Sequence, residues 1–446
     1  MRPTLFLPMK NFFPSRHRTF IETLHAHFSL VVHEGEAWSF QGGDVSDTRF
    51  LNRQIGNVDR LNEFELHWNQ YMQYVTTQLT SISGSPPSAE ILDAHFQAAK
   101  PVVTESLKCS LLLGELVKEK KIAAVVTGAD YTQYARPFVY MAAQLNIPTV
   151  HIEHGLFALE PYPEIFRHEP PSLPFASNYV ILDNALETNI FSRYPRQSSV
   201  RELLPLGCPI DNSVSGSPMS MSSGKRKLHI SPEKKCVTLV MSWNEPKTPG
   251  APVLYQADEV EFVEMIFRSM LQAKHRKDIH IIIKFHPAVR DFQESHGMRL
   301  FYSNLASEYG LSHDVSIVTE NLEETIASSN LVVSWRRSSV LWDAIMQNTP
   351  VALALPARQR EIYVDDDWSS HSAVSSAGLS AYIRNQQEAV EIFDRMFEPT
   401  EQYAFEQRVA EFKEKWNIFH RTASEKSAAI AQWLTGLIRD DDTSVY

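Results

Sequence analysis

The chain has 446 residues, of which 43% are hydrophobic and 21% are charged, and its formal net charge is −11 at pH 7. This composition is typical of a globular protein and excludes a long intrinsically disordered chain. The length favours two domains of roughly 200 residues each. A nucleic-acid-binding protein would carry a basic surplus, so the acidic balance predicts no nucleic-acid partner.

Cysteine content and hydropathy indicate the compartment. Cys109, Cys208 and Cys236 are too few and too widely spaced for a disulfide framework or a zinc site. No apolar run approaches the ~18–20 residues of a membrane-spanning helix. The apolar stretch Thr4–Pro8 is too short for the apolar region of a signal peptide. These features predict a cytoplasmic protein.

Glycine is scarce, at 16 of 446 residues, and this restricts how the chain binds phosphate. The sequence contains neither G-x-G-x-x-G nor G-x-x-x-x-G-K-[ST], so the dinucleotide fingerprint and the Walker A loop are both absent. The motifs H-E-x-x-H and G-x-S-x-G are absent as well. Any phosphate site must therefore use helix N-termini and basic side chains.

In chain order, apolar runs alternate with helical patterns through the first 212 residues. Strands are predicted at Thr4–Met9, Ser29–His33, Ile122–Val126, Ile147–Glu153 and Tyr179–Leu182. Helices are predicted at Phe20–Phe28, over most of 44–120 with a break at Ser83–Ser88, and at Arg136–Leu145. Near-continuous apolar strands that alternate with helices predict a parallel sheet covered on both faces.

The same alternation resumes after residues 213–235, a stretch rich in Ser, Gly and Lys that we predict to be an interdomain linker. Strands are predicted at Cys236–Met241, Ile279–Phe285, Val315–Val318, Leu331–Trp335 and Val351–Leu355. Helices are predicted at Asp258–Ala273, Met298–Tyr309, Asn321–Ser328, which begins with a capping-box spacing, Ser339–Gln347 and Glu401–Ile438. The predicted units are an N-terminal domain at 1–212, a C-terminal domain at 236–400, and C-terminal helices with a polar tail at 401–446.

These elements predict an α/β protein with two Rossmann-like parallel-sheet domains that face an interdomain cleft. Open parallel sheets bind ligands in the crevice outside the carboxyl ends of their strands. The residues that directly follow each strand are therefore the candidates for a functional site.

The strongest local pattern is SWRRSS at Ser334–Ser339, where a strand ends, a short turn follows and a helix begins. Either Ser338 or Ser339 is placed to cap the helix, whose first turn offers unpaired N–H groups and partial positive charge. Arg336 and Arg337 add fixed charge and paired N–H donors that suit phosphate. A capped helix beside solvent-exposed arginines is the alternative, and we favour an anion site.

The second pattern is KFHP at Lys284–Pro287. Pro287 turns the chain away from the sheet, so His286 is predicted to lie at the carboxyl edge and to face the cleft. Its imidazole can donate a hydrogen bond to a phosphate oxygen, and Lys284 belongs to the same candidate site. A structural histidine that bonds a loop carbonyl is the alternative.

The third pattern is HIEHG at His151–Gly155, again at the end of a strand, and it supplies candidates for a general base. Alternation along the strand puts His151 and Glu153 on one face and His154 on the other. Asp130, just after the preceding strand, is an alternative base. A buried His–Glu pair without a catalytic role is nearly as consistent with the pattern.

Weaker patterns complete the set of candidates. Trp243 and Asn244 after a strand, and Gly207–Pro209 near the hinge, are candidates for lining the nucleotide cleft, although ordinary loop packing is the more common explanation for both. Asp365–Asp367 contains a DxD, but an acidic surface turn is the more common explanation, so no metal is predicted. The basic and aromatic loop Lys10–Arg18 leaves open a contact with an acceptor, with an anionic membrane, or with solvent alone.

Together these residues resemble the GT-B glycosyltransferases of bacterial surface-polysaccharide synthesis, in particular the capsule Kdo-transferase and polysialyltransferase-like groups. Those groups carry an HP motif, here His286 and Pro287, and a paired-serine motif, here Ser338 and Ser339. In them both motifs bind the cytidine monophosphate of a CMP-activated donor. The resemblance covers the C-terminal domain well and the N-terminal domain loosely.

The resemblance also implies a catalytic base. In the polysialyltransferase type an acidic residue before a glycine serves as base, and Glu153 in the sequence EHG is similar, although His154 stands where that family has a second acid. The resemblance implies transfer of Kdo, sialic acid or a related acidic sugar from a CMP-sugar donor to a glycan or lipid-linked glycan acceptor, without a metal cofactor. It implies a cytoplasmic enzyme, with peripheral contact to the inner membrane left open.

Three alternatives stay open. The stretch Ser338–Asp343 is also similar to CDP-glycerol glycerophosphotransferases, which carry a comparable Ser-Ser…Asp helix and an HP motif. The stretch His151–Gly155 resembles UDP-N-acetylglucosamine 2-epimerases, although Arg337–Ser339 stands where a free epimerase usually has Gly-Gly. The third alternative is a non-catalytic sugar-nucleotide-binding subunit.

Overall fold

The computed structural model describes residues 2–9, 12, 14–33, 45–47, 58–83, 85, 88–128, 130, 135–153, 175–194, 199–211, 219–241, 251–286, 292–335, 338–357, 370–418 and 421–443. The strands are β1 Thr4–Pro8, β2 Ser29–His33, β3 Val45–Asp47, β4 Ile122–Thr127, β5 Thr149–Ile152, β6 Tyr179–Ile181, β7 Glu202–Leu204, β8 Lys235–Val240, β9 Ile279–Lys284, β10 Val315–Val318, β11 Ser329–Ser334, β12 Val351–Ala354 and β13 Ser380–Ile383. The helices are α1 Pro14–His27, α2 Val58–Ser83, α3 Ala89–Glu119, α4 Arg136–Gln144, α5 Ala185–Phe191, α6 Met221–Lys227, α7 Ala251–Gln272, α8 Phe292–Glu308, α9 Leu322–Ser328, α10 Ser339–Met346, α11 Ser370–Ser376, α12 Gln386–Met396, α13 Pro399–Lys415 and α14 Ala423–Thr443. None of these helices, over the ranges just given, is long and apolar enough to cross a membrane.

Within the described residues the strands form two sheets. The first has the order β3-β2-β1-β4-β5-β6-β7 and the second has the order β10-β9-β8-β11-β12-β13. The paired strands run parallel throughout. In each sheet the strand order reverses once, between β1 and β4 and between β8 and β11, and such reversals open a ligand crevice at the carboxyl edge. The predicted α/β architecture with two parallel-sheet domains is confirmed.

The strands are apolar because helices cover both faces of each sheet. In β1, Leu5 and Leu7 join one hydrophobic cluster while Phe6 joins the cluster on the opposite face. This alternation is the geometry of a pleated strand with two buried faces. In β9 all six positions, 279–284, are buried. The apolar runs that predict these strands are therefore a direct consequence of the two-sided packing.

The C-terminal helices divide between the two domains. Phe405 and Val409 of α13 belong to a hydrophobic cluster that includes Leu341 of the second domain and also contains side chains of the first. Ile430 and Leu434 of α14 belong instead to the cluster of the first domain that contains Phe20 of α1, and α14 contacts α1. The chain therefore returns to the first domain at its C-terminal end, so the segment predicted as a unit at 401–446 serves two cores.

The segment predicted as a linker at 213–235 contains helix α6. Ser220 caps this helix, with its side chain accepting the N–H of Ser223 at 3.3 Å. Gly224 lets α6 approach α9, since a Cβ there would lie 2.8 Å from the carbonyl oxygen of Glu324. Residues 213–235 therefore include a short helix that their polar composition did not predict. This helix packs closely on α9 of the second domain at Gly224.

The domains also share hydrophobic packing. One cluster contains side chains from both of them, among them Phe191 of α5 and Val374 of α11, and these two helices are in contact. The two domains are therefore joined by a common apolar contact.

Candidate functional site

Two of the sequence patterns lie at the carboxyl edge of the second sheet, one after β9 and the other after β11. Strand β9 ends at Lys284 and is followed by Phe285 and the exposed His286. Strand β11 ends at Ser334, and Ser338 directly precedes helix α10. Because β8 lies between β9 and β11, His286 and Ser338 follow the two strands that flank it. The order reverses between β8 and β11, so Ser338 follows a strand at the reversal point, while His286 lies one strand further along the same carboxyl edge, where ligands are expected.

Ser338 is the N-cap of α10. Its backbone is extended, with φ −135° and ψ 144°, and its Oγ accepts the N–H of Val340 at 3.3 Å. Burial of Leu341 and Ile345 holds the helix against the sheet. The prediction that Ser338 or Ser339 caps this helix is confirmed for Ser338, and Ser339 is the first helical residue. Since the Ser338 oxygen accepts one bond, its O–H can donate to a ligand oxygen.

A buried carboxylate lies beneath the same turn, and sequence reasoning missed it. Glu259 of α7 is 2% exposed; the Tyr302 hydroxyl donates to it at 2.9 Å and the Trp335 indole N–H at 3.4 Å. Burial and the neighbouring Glu259 raise the pKa of Tyr302 well above its ordinary value. The signal was an acidic residue on the apolar face of a helix, and its partners lie far along the chain.

Lys284 lies in the candidate site by position, but its ammonium is bonded to main chain. Its Nζ donates to the carbonyl oxygens of Phe285 at 2.9 Å and Thr319 at 2.8 Å. Burial lowers the pKa of Lys284 to about 8, and the carboxylate of Glu320 opposes this effect. The ammonium is therefore still protonated at neutral pH.

The carboxyl edge of the first sheet holds a buried acid–imidazole–acid cluster. His151 of β5 lies between Asp130, which follows β4, and Glu153, which follows β5. Its Nε2 is 3.1 Å from Glu153 Oε2, and its Nδ1 is 3.7 Å from Asp130 Oδ1. All three side chains are at most 1% exposed. The prediction that His151 and Glu153 share one face is confirmed.

Both protonation states of His151 have partners. In a neutral ring Nδ1 can accept the backbone N–H of Asp130, which lies 3.3 Å away, while Nε2–H donates to Glu153. In a protonated ring Nδ1–H faces the Asp130 carboxylate instead. Burial by itself lowers the pKa of His151, but the two carboxylates outweigh burial and raise it above 6.5. The imidazole therefore holds Glu153 in place whether or not it is charged.

Asp130 also anchors a distant segment. Its Oδ2 accepts the backbone N–H groups of Ala176 at 2.9 Å and Ser177 at 2.7 Å. The ring of Phe175, next in the chain, lies 4.9 Å from the ring of His151. Asp130 thus fixes both the imidazole and the entry into β6.

The Gly207–Pro209 pattern lies beside the C-terminal helix. The N–H of Cys208 donates to Asp183 Oδ1 at 2.9 Å, and Lys426 of α14 donates to the same oxygen at 2.8 Å. Gly207 has φ +103°, and a Cβ there would lie 2.7 Å from the Lys426 side chain. Burial and Asp183 raise the pKa of Cys208 well above its ordinary value. These contacts join the C-terminal helix to the first domain.

Six predicted site residues lie outside the described residues, and so does the acidic cluster Asp365–Asp367. The six are His154, Trp243, Asn244, Pro287, Arg336 and Arg337. Across the ranges that the structure describes, no group of three or more His, Cys, Asp or Glu side chains is arranged to hold a metal ion.

Comparison with known proteins identifies the fold. No protein-family model and no curated protein matches the chain. The sucrose-phosphate synthase of Thermosynechococcus elongatus is similar with a TM-score of 0.53 and 12% identity, covering 98% of this chain and 100% of that one. The α,α-trehalose 6-phosphate synthase of Burkholderia multivorans is similar with a TM-score of 0.53 and 12% identity, covering 100% and 99%.

A third solved structure, a glycosyltransferase from Rickettsia africae, has a TM-score of 0.50 and 9% identity and covers 98% of this chain and 99% of that one. At such identities the likeness is one of fold, and it extends over both domains. The protein has the GT-B fold, in which two Rossmann-like parallel-sheet domains face a cleft.

Proposed function

We propose that this protein is a glycosyltransferase that transfers an acidic sugar, such as Kdo or sialic acid, from a CMP-activated donor to a glycan or lipid-linked glycan acceptor. The observation that carries the proposal is the position of His286 and Ser338 at the carboxyl edge of the second sheet, after the two strands that flank β8. The HP and paired-serine motifs support cytidine as the base of the donor nucleotide. The GT-B fold supports sugar transfer in an interdomain cleft.

On the donor side, the residues act on the phosphate of the leaving CMP. The N-terminal end of α10, the Ser338 hydroxyl and the His286 imidazole provide hydrogen-bond donors and partial positive charge. Arg336 and Arg337 directly precede Ser338 in the chain and add fixed charge. Stabilising the charge that develops on the leaving phosphate lowers the barrier to bond cleavage.

On the acceptor side, Glu153 is the proposed base. The acceptor hydroxyl oxygen attacks the anomeric carbon and gives its proton to the Glu153 carboxylate, while the bond from that carbon to the CMP oxygen breaks. His151 orients Glu153 through Nε2 at 3.1 Å, and Asp130 supports the imidazole from the other side. A base held by a second group, itself held by a third, is the usual arrangement of an activated catalytic group. Asp130 already accepts two amide bonds, which favours Glu153 as the base.

Release of CMP in the presence of acceptor tests the proposal. A panel of CMP-sialic acid, CMP-Kdo, CDP-glycerol and UDP-N-acetylglucosamine separates the proposed donor from the alternatives. Glu153→Gln keeps the side-chain shape and should cut turnover by roughly 10²–10⁴ with little change in donor affinity. Glu202→Gln, which changes an exposed carboxylate of β7, is the matched control. Near-normal turnover of a folded Glu153→Gln variant would show that Glu153 is structural.

The proposal includes catalysis without a metal ion. Arginine, histidine and a helix N-terminus balance the phosphate charge, which removes the need for a bound cation. Turnover should be unchanged after dialysis against EDTA. Loss of turnover that magnesium or manganese restores would overturn this part and direct attention to Asp365–Asp367.

A further inference from the structure

Lys284 has a charged side chain at a buried position, where an apolar side chain would cost less free energy to bury. The residue is only 4% exposed, and its ammonium donates to two main-chain carbonyl oxygens, those of Phe285 and Thr319. A buried ammonium is costly unless it is hydrogen-bonded, and these two bonds offset that cost. The two carbonyls lie in different loops, since Phe285 follows β9 and Thr319 follows β10. The ammonium therefore joins two loops at the carboxyl edge of the sheet.

Main-chain hydrogen bonds connect these two loops to the end of a third strand, β8. The N–H of Met241, which follows β8, donates to the carbonyl oxygen of Lys284 at 3.0 Å. The N–H of Phe285 donates to the carbonyl oxygen of Val318 at 2.9 Å. Hydrogen bonds of Lys284 and its neighbour Phe285 thus join the ends of β8, β9 and β10. His286 directly follows Phe285 in the chain.

Arg299 of α8 reinforces the same loop from the other side. Its guanidinium donates to the carbonyl oxygen of Ile317 at 3.1 Å and to the hydroxyl of Thr319. Two cationic side chains thus hold the start of the loop after β10, and among contacts of the described residues only Lys284 of the two also bonds the loop that carries His286. The pKa of Lys284, about 8, keeps the ammonium charged at pH 7 although burial disfavours the charge.

We propose that Lys284 is a positioning residue that fixes the backbone at His286 by fastening the loops after β9 and β10. Its effect on a donor phosphate passes through His286. The assignment to a ligand rests on the proposed function, whereas the fastening does not. A direct contact with phosphate is disfavoured because two of the three ammonium N–H groups bond carbonyls, and because Lys284 is buried while His286 is exposed.

Lys225 offers a matched control in the same domain. It is 5% exposed, and its Nζ donates to the carbonyl oxygens of Pro232 at 3.1 Å and Lys234 at 2.6 Å. These carbonyls precede β8, so this lysine lies at the amino edge of the sheet, opposite the candidate site. Lys225→Met therefore removes an equivalent buried ammonium without touching the carboxyl edge.

Hydrogen exchange at pH 7 tests the fastening in the full chain without any ligand. Lys284→Met should speed the exchange of the Met241 and Phe285 amides about tenfold or more, as a local loss of ~1.4 kcal/mol of protection would. Lys225→Met should leave both amides at wild-type rates. If Lys284→Met does not fold, Lys284→Gln, which still has an N–H donor, should give a smaller acceleration. Unchanged exchange at both amides in a folded variant would overturn the proposal.

A double-variant cycle tests whether the effect passes through His286. Calorimetry with CMP should show that Lys284→Met and His286→Ala each weaken binding, and that the double variant binds no more weakly than His286→Ala alone. If the affinity of the double variant instead falls by the product of the two single-variant factors, Lys284 acts on the ligand independently of His286, which contradicts the proposal. If the wild-type chain binds neither CMP, CDP nor UDP, the proposed function fails, and the exchange experiment alone decides the role of Lys284.

Discussion

His151 is held by two carboxylates, so its protonation is linked to folding. The pKa of His151 in the folded protein lies above 6.5, because Asp130 and Glu153 together outweigh the effect of burial. A histidine whose pKa is raised by folding contributes stability that is complete below its unfolded pKa. That contribution is lost as the pH rises through the folded pKa. The cluster should therefore be most stabilising on the acidic side of 6.5.

We expect His151→Gln to destabilise the protein most below pH 6.5, and the difference from wild type to shrink as the pH rises above this value. Urea unfolding of both proteins at a series of pH values measures the difference. His313→Gln, which changes an exposed histidine outside the cluster, controls for the substitution itself. A pH-independent loss of stability in His151→Gln would show that the ring acts by packing alone.

Single residues were predictable where their partners are local. The cap at Ser338 follows from a strand, a turn and a helix in immediate succession, and its bond reaches only two residues along the chain. Asp130 bonds amides 46 and 47 residues away, which no local pattern indicates. The capping box predicted at Asn321 was wrong, because Asn321 has φ +61° and makes no side-chain cap bond.

At the scale of elements, the interior strands were predicted, and of the four strands at the sheet ends β10 was predicted while the other three were missed. The apolar runs at β9 and β11 correspond to strands with neighbours on both sides. Strands β3, β7 and β13 have three or four residues each and lie at the ends of the sheets. An edge strand pairs on one side only and needs few apolar residues, so its sequence resembles a loop.

Helix α6 provides an element-scale prediction. Its Gly224 lies against α9, and a Cβ there would be 2.7 Å from Ser328 Oγ and 2.8 Å from the carbonyl oxygen of Glu324. Gly224→Ala should therefore push the helices apart and cost about 1–3 kcal/mol of unfolding free energy, as overpacking usually does. Chemical denaturation measures the change.

Gly436 in α14 is the matched control, since nothing lies within 4 Å of a Cβ placed there. Gly436→Ala should stabilise the protein by about 0.4–1 kcal/mol, because alanine favours the helix and restricts the unfolded chain. Equal effects of the two substitutions would contradict the close packing of α6 on α9.

For the whole molecule, the alternation of strands and helices predicted two domains, but it could not predict where the C-terminal helices pack. An amphipathic helix shows that one face is buried and does not identify its partner. The return of α14 to the first domain depends on contacts such as Ile430 with the α1 cluster and Lys426 with Asp183. These contacts span more than 200 residues and appear only in the folded structure.

We expect Lys426→Met to destabilise the protein by about 3 kcal/mol, because it removes the ammonium that pairs with the largely buried carboxylate of Asp183. Lys227→Met removes a more exposed ion pair with Glu324 and should cost less than about 1 kcal/mol. Urea unfolding of the two variants measures both values. Similar small losses would mean that α14 is held by its apolar face alone.

Calorimetric titration of nucleotides tests most directly the claim that the carboxyl edge of the second sheet binds the donor. Wild type should bind CMP more tightly than UDP, and Ser338→Ala should weaken CMP binding about 10- to 150-fold, the effect of losing a hydrogen bond to a charged group. Ser220→Ala should retain wild-type affinity although it loses an equivalent helix cap, since both serine oxygens accept an N–H at 3.3 Å. Equal affinity for UDP and CMP, or unchanged CMP binding by folded Ser338→Ala, would contradict the account.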